Sequence, residues 1–253
     1  MDDLSPILEG LFRWAHIVAG IVWIGLLYFF NFVNAPFAAK MDGGTKKVVV
    51  PELMPRALFW FRWGAAWTWL TGVLLLLLVF YHGGVVFDPG RGWGFGAILM
   101  IAVTFLIALL YDALFKSPLG KDLRVGAAIG FVIVALVILG FILIGGFGYR
   151  GYVIHTGAML GTIMAFNVWM RIWPAQQKII RATKDGTPPD PGVVALAGAR
   201  SRHNTYMSVP LVWTMVNQHT VTFANPLTLL AAILVGWWAV YLLYKKAATV
   251  QGF

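Results

Sequence analysis

The 253-residue chain contains no cysteine. That excludes disulfides, thiol catalysis, iron–sulfur clusters and haem attached through Cys-x-x-Cys-His. Charge is also scarce: 11% of residues are Asp, Glu, Lys or Arg, against about 25% in a soluble domain. The N-terminus Met1-Asp2-Asp3 lacks the basic flank of a cleavable signal peptide, and the first apolar run is full length. No alternating β-barrel pattern, internal repeat or low-complexity tract is present. What the chain has is apolar. Sixty percent of residues are hydrophobic, with 12 Trp, 18 Phe and 8 Tyr, and the mean hydropathy is +0.79. A disordered chain, a secreted mini-protein and an ordinary cytosolic enzyme are excluded, and an integral membrane protein is predicted.

A bilayer core of about 30 Å needs about 20 apolar helical residues. Seven stretches qualify, near 14–33, 64–81, 93–114, 125–147, 152–173, 203–219 and 226–244. The sixth is the least apolar. The expected fold is all-α, a polytopic membrane bundle of about seven helices forming one domain over 1–253. Seven spans put the termini on opposite sides. Arg13, Arg91 and Arg150 then fall on one side, and every other Lys and Arg on the other or just inside it. The positive-inside rule therefore places the N-terminus outside and the C-terminus in the cytoplasm, in a bacterial inner membrane. The net charge of +9 reflects this topology and contact with anionic lipid in the bilayer, not nucleic-acid binding. The segments 34–56 and 174–202 read as the two longer cytoplasmic loops. In the second, Gly186 to Pro191 breaks any helix, and 193–199 is expected to form a short surface helix.

Ionisable residues inside a membrane are functional candidates by default. His16, His82, His155 and His219 come from four helices and share the external level, while His203 is cytoplasmic. His16 and His155 stand about one turn inside apolar runs, where an unpartnered imidazole is costly. Small residues flank both: Gly20 near His16, and Gly157, Ala158 and Gly161 near His155. Such clearance suits a b-type haem with histidine axial ligands. Arg13 and Arg150 stand outside these histidines, placed to pair with propionates, or simply to snorkel. Met159 is an alternative axial ligand. His82 and His219 are second-choice ligands, for a second haem or a metal. The scarcity of external acids, Glu9 and Asp88 beyond the terminal pair, argues against zinc. An all-histidine copper site from His16, His82, His155 and His219 stays open. The i,i+4 pairs Glu9–Arg13 and Asp112–Lys116 read as structural.

Several stretches resemble the membrane domain of bacterial membrane-bound urate oxidases, the urate oxidase N-terminal domain family. They are Arg13-Trp14-Ala15-His16 with Trp23-Ile24-Gly25; Met54-Pro55-Arg56-Ala57 with Phe61-Arg62-Trp63-Gly64-Ala65 and Thr71-Gly72; and Arg200-Ser201-Arg202-His203-Asn204 through Pro210 to Asn217-Gln218-His219. The resemblance covers nearly the whole chain. It implies oxidation of urate, with electrons passed to cytochrome c. In family members a cytochrome c domain follows the membrane domain; with no Cys, this chain is expected to lack it and to use a separate cytochrome c or a quinone. A planar anion such as urate would bind at Arg200, Arg202, His203 and Asn204. The competing expectation is a non-enzymatic membrane subunit of a larger respiratory or photosynthetic complex, and a transporter is disfavoured by the few buried acids.

Overall fold

The computed structural model describes residues 4–251. Among these the protein is all-α, with no strand and a single isolated bridge between Phe87 and Phe147. We number seven long helices: α1 (Ser5–Lys40), α2 (Gly43–His82), α3 (Phe95–Lys116), α4 (Leu123–Leu143), α5 (Tyr149–Asp185), α6 (Pro191–Asn217) and α7 (Pro226–Ala247). All but α6 are long and apolar enough to cross a membrane. The protein is therefore a multi-pass membrane protein. α6 falls short because its first half carries Arg200, Arg202, His203 and Asn204.

The segments expected as long loops are mostly helix. The 36 residues of α1 rise about 54 Å at about 1.5 Å per residue, well beyond the hydrocarbon core. The chain then re-enters helix almost at once. Asp42 caps α2, its carboxylate accepting from the Thr45 backbone N–H at 3.0 Å and the Thr45 hydroxyl at 2.6 Å. Further on, α5 continues to Asp185 and stops at Gly186, whose φ of +73° only glycine adopts freely. Its end is a Schellman pair, Gly186 N–H to Thr183 O and Thr187 N–H to Ala182 O. Asp190 then caps α6 at the Val193 N–H, with Pro191 in the first turn. The short surface helix expected at 193–199 is thus the start of α6 itself, since nothing between Val193 and Asn217 supplies a stop.

Three helices widen into a π turn: α1 at Phe29–Asn34, α2 at Leu76–His82 and α5 at Val168–Ile172. Each closes with an i→i−5 bond, such as Gly83 N–H to Leu78 O. A π turn swings side chains out of helical register and recurs at functional sites.

The chain forms two compact units. One comprises Val73–Ile163 and Pro210–Val235; the other holds Pro6–Gly72, Met164–Val209 and the chain from Gly236 onward. In the first, small residues let helices touch. A Cβ on Gly157 would strike Thr214 Oγ1, and one on Gly161 would meet Leu211 Cδ1 at 3.8 Å. In the second, a Cβ on Gly64 would sit 3.2 Å from the backbone N of Trp23. That close approach buries Trp23 between α1 and α2.

Candidate functional site

His155 lies in the first unit and is 0% exposed. Its Nδ1 is 2.7 Å from the Gly151 carbonyl. A carbonyl only accepts, so Nδ1 carries the proton and the neutral ring keeps its lone pair on Nε2. The Tyr81 hydroxyl, 3.0 Å from Nε2, is therefore the donor. Aromatic rings close around the imidazole: Phe147 at 4.5 Å between centroids, with Phe141 and Tyr81 each at 5.7 Å. Tyr81 stands in the π turn that ends α2. Beyond it comes Trp93, 5.6 Å away and edge-on.

A loop over residues 83–94 seals this cage. Val86 O accepts from the Gly148 N–H at 2.9 Å, and Phe87 pairs with Phe147 in both backbone and ring contact. Gly151 makes the seal fit, because a Cβ there would strike Val86 O. The glycines beside His155 are thus taken up by packing: Gly157 and Gly161 against α6, and Gly151 against the loop. Met159 is fully buried. Arg150 lies over the Phe80 ring at 5.9 Å. His82 and His219 are exposed.

His16 lies in the second unit and is half-buried. Its Nδ1 donates to the Thr68 carbonyl at 2.9 Å and approaches the Thr71 hydroxyl at 3.2 Å. Thr71 turns its own proton to the Trp67 carbonyl, so its oxygen is free to accept. The same logic as at His155 leaves the lone pair on Nε2. Gly20 faces the Thr68 methyl at 3.8 Å, so the small residue near His16 serves the α1–α2 contact. Beside it runs an apolar groove of about 580 Å³, lined by Ala15, Ala19, Trp60, Trp63, Gly64 and Trp67 among others. Arg13 is engaged with Glu9, as the i,i+4 spacing predicts.

The second unit also holds the α6 motif, much of it buried. Arg200 is 2% exposed and Asn204 0%. Asn204 donates to the Met164 carbonyl at 2.9 Å and accepts from Asn167 at 2.8 Å. His203 is half-buried, and Arg202 is exposed with its guanidinium 5.4 Å over the Tyr244 ring. Arg62, in the same unit, meets α5: its carbonyl accepts from Trp169 Nε1, and its guanidinium lies 4.0 Å over Trp173.

Sequence reasoning passed over Tyr81, Thr68 and Gly151, because none is unusual in an apolar helix. The π turn that carries Tyr81 leaves no compositional mark. Among the described residues, no group of three or more His, Asp or Glu gathers as a metal site.

Comparison with known proteins gives one positive result. No curated protein and no solved structure matches the chain. The urate oxidase N-terminal family matches residues 40–245, a stretch that includes His82, His155, His203, His219 and the whole α6 motif. Spanning most of the chain, this match shows that the protein belongs to the urate oxidase N-terminal family.

Proposed function

We propose that the protein is a membrane redox protein of the urate-oxidase kind, taking electrons from a small planar anion. The observation that carries the reading is Arg200, a guanidinium 2% exposed in the α6 motif that the family match includes. A cation buried inside an apolar helix bundle is costly and is a functional candidate by default. Arg presents a planar fork suited to an anionic, hydrogen-bonding ring such as urate. Asn204, Asn167 and His203 supply further donors and acceptors in the same unit. The acceptor of the electrons is a separate cytochrome c or a quinone. With α6 counted as a seventh crossing, the distribution of Lys and Arg puts the N-terminus outside and the C-terminus in the cytoplasm of a bacterial inner membrane.

A b-type haem is the implied cofactor, and the two leading ligand candidates fit it unequally. His16 has the form an axial ligand needs: Nδ1–H is tied to a carbonyl, Nε2 holds the lone pair, and a Trp-lined groove adjoins. His155 has the same tautomer, but its Nε2 is taken by Tyr81 inside a closed aromatic cage. His16 would therefore hold the group, and Arg13 would reach a propionate by leaving Glu9. A haem bound there would supply one-electron redox chemistry.

The test is a reduced-minus-oxidised spectrum of the purified protein with a haem assay, repeated with urate as reductant. We expect a b-type band that urate enhances in the wild type, and an Arg200→Gln variant that keeps the haem but responds to urate at about 100-fold lower affinity. A colourless preparation would overturn the haem assignment. An unaltered urate response in Arg200→Gln would overturn the substrate site.

A further inference from the structure

We propose that Tyr81 and His155 are a redox-active phenol–imidazole pair, in which one-electron oxidation of Tyr81 hands its phenolic proton to His155 Nε2. The inference rests on the redox reading above only for its need of an oxidant, a one-electron metal-centred acceptor.

The roles follow from the geometry. Gly151 O fixes the proton on Nδ1 at 2.7 Å, so Nε2 is a base, and its one described contact is the Tyr81 hydroxyl at 3.0 Å. Removing an electron from a phenol that keeps its proton would leave a cationic radical in an apolar cage, at a large desolvation cost. Here the proton has a place to go. The Tyr81 O–H bond breaks, an N–H bond forms at Nε2, and the electron leaves for the acceptor. The products are a neutral phenoxyl radical and an imidazolium. Both imidazolium protons stay bonded, one to Gly151 O and the other to the phenoxyl oxygen. On reduction, a donor returns the electron and Nε2 returns the proton.

The surroundings suit this state. Phe147 at 4.5 Å and Phe141 at 5.7 Å lie within the roughly 6 Å at which an aromatic ring interacts with a cation. Val86 and His155 are both 0% exposed, so the base end of the pair is shielded from water. Trp93 gives the hole a way in. It is 54% exposed, yet its ring lies 5.6 Å from that of Tyr81. A surface indole thus leads through a phenol to a buried base, all within one compact unit.

The experiment is flash oxidation of the purified full-length protein with a photoexcited ruthenium tris-bipyridine complex and persulfate, read by electron paramagnetic resonance after freezing. Ring-deuterated tyrosine narrows the signal if the radical is a tyrosyl. We expect such a radical in the wild type and its loss in Tyr81→Phe, which removes one oxygen and keeps the ring. In His155→Gln the radical should form about 100-fold more slowly, the usual scale for losing a positioned base. A full signal in Tyr81→Phe, no tyrosyl signal in the wild type, or an unchanged rate in His155→Gln would each overturn the pair. Haem content, measured on the same samples, separates this outcome from failure of the cofactor reading. Tyr81→Phe is expected to keep any haem the wild type carries.

Discussion

The Tyr244 hydroxyl donates to Asn31 Oδ1 at 2.8 Å, joining residues 213 positions apart. Asn31 stands in the π turn of α1 and spends its amide on both sides: Nδ2 donates to the Leu27 carbonyl at 2.9 Å and to Ser201 Oγ at 2.8 Å. One amide therefore braces α1 to α6 and α7 in an apolar medium. Tyr244→Phe keeps the stacking on Tyr206 and removes the bond to Asn31 together with the hydroxyl's contacts with the Thr205 and Arg202 side chains. It should cost about 1 kcal/mol, the scale of an interhelical hydrogen bond in a membrane. Asn31→Leu removes all three bonds and should cost about 2 kcal/mol or more. Thermal unfolding in detergent checks the order; equal losses would mean that Tyr244 alone carries the brace.

Close approaches at glycine give a second prediction. A Cβ on Gly151 meets Val86 O and one on Gly157 meets Thr214 Oγ1, whereas one on Gly130 in α4 meets nothing within 4 Å. Gly151→Ala and Gly157→Ala should each destabilise by about 1–3 kcal/mol, as overpacking does. Gly130→Ala should be neutral or stabilising by up to about 1 kcal/mol. The same unfolding assay reads all three. A mild Gly151→Ala would mean that the loop over His155 yields.

Six of the seven expected spans are legible because bilayer thickness imposes a length and a composition that few soluble helices share, and the one at 203–219 is not apolar enough to qualify. His16 and His155 were legible for the converse reason, an imidazole in an apolar run being conspicuous. Their partners were not. Tyr81 is 74 positions from His155, and Thr68 is 52 from His16. Gly20, Gly157 and Gly161, which suggest clearance for a flat cofactor, face α2 and α6, because glycine in a membrane helix serves close helix contact as readily as ligand access. The segments 34–56 and 174–202, expected as loops, are largely helical. Pro51 and Pro55 look like breakers, yet α2 runs through both. The real stops are the capped turns at Asp42 and at Gly186 to Asp190.

The Asp42 cap carries a pH dependence. Its carboxylate is held below the ordinary aspartate range, first by the Thr45 hydroxyl and then by the Thr45 N–H. A lowered pKa means that the folded state binds the carboxylate's proton less readily than the unfolded chain does. The contribution is therefore full above the unfolded pKa and is lost as pH falls through the lower, folded one. Amide exchange at Thr45 should stay protected at neutral pH and accelerate only in acid below the normal aspartate range. Asp42→Ala should show the fast exchange at every pH.

Gly72 offers a way to disturb His16 without removing it. A Cβ there would stand 3.0 Å from His16 Cε1 and 3.4 Å from Nδ1. That is tighter than ordinary van der Waals contact, so the ring must turn. Its Nδ1 bond to the Thr68 carbonyl is the contact that sets the ring plane. Gly72→Ala should therefore rotate the imidazole and misdirect Nε2 while leaving the histidine in place. If His16 holds a haem, the variant should bind it about tenfold or more weakly, the loss usual when a ligand's orienting contact is disturbed. The haem it retains should show a shifted band. A Gly72→Ala protein with full haem content and an unshifted spectrum would move the ligand elsewhere on the chain.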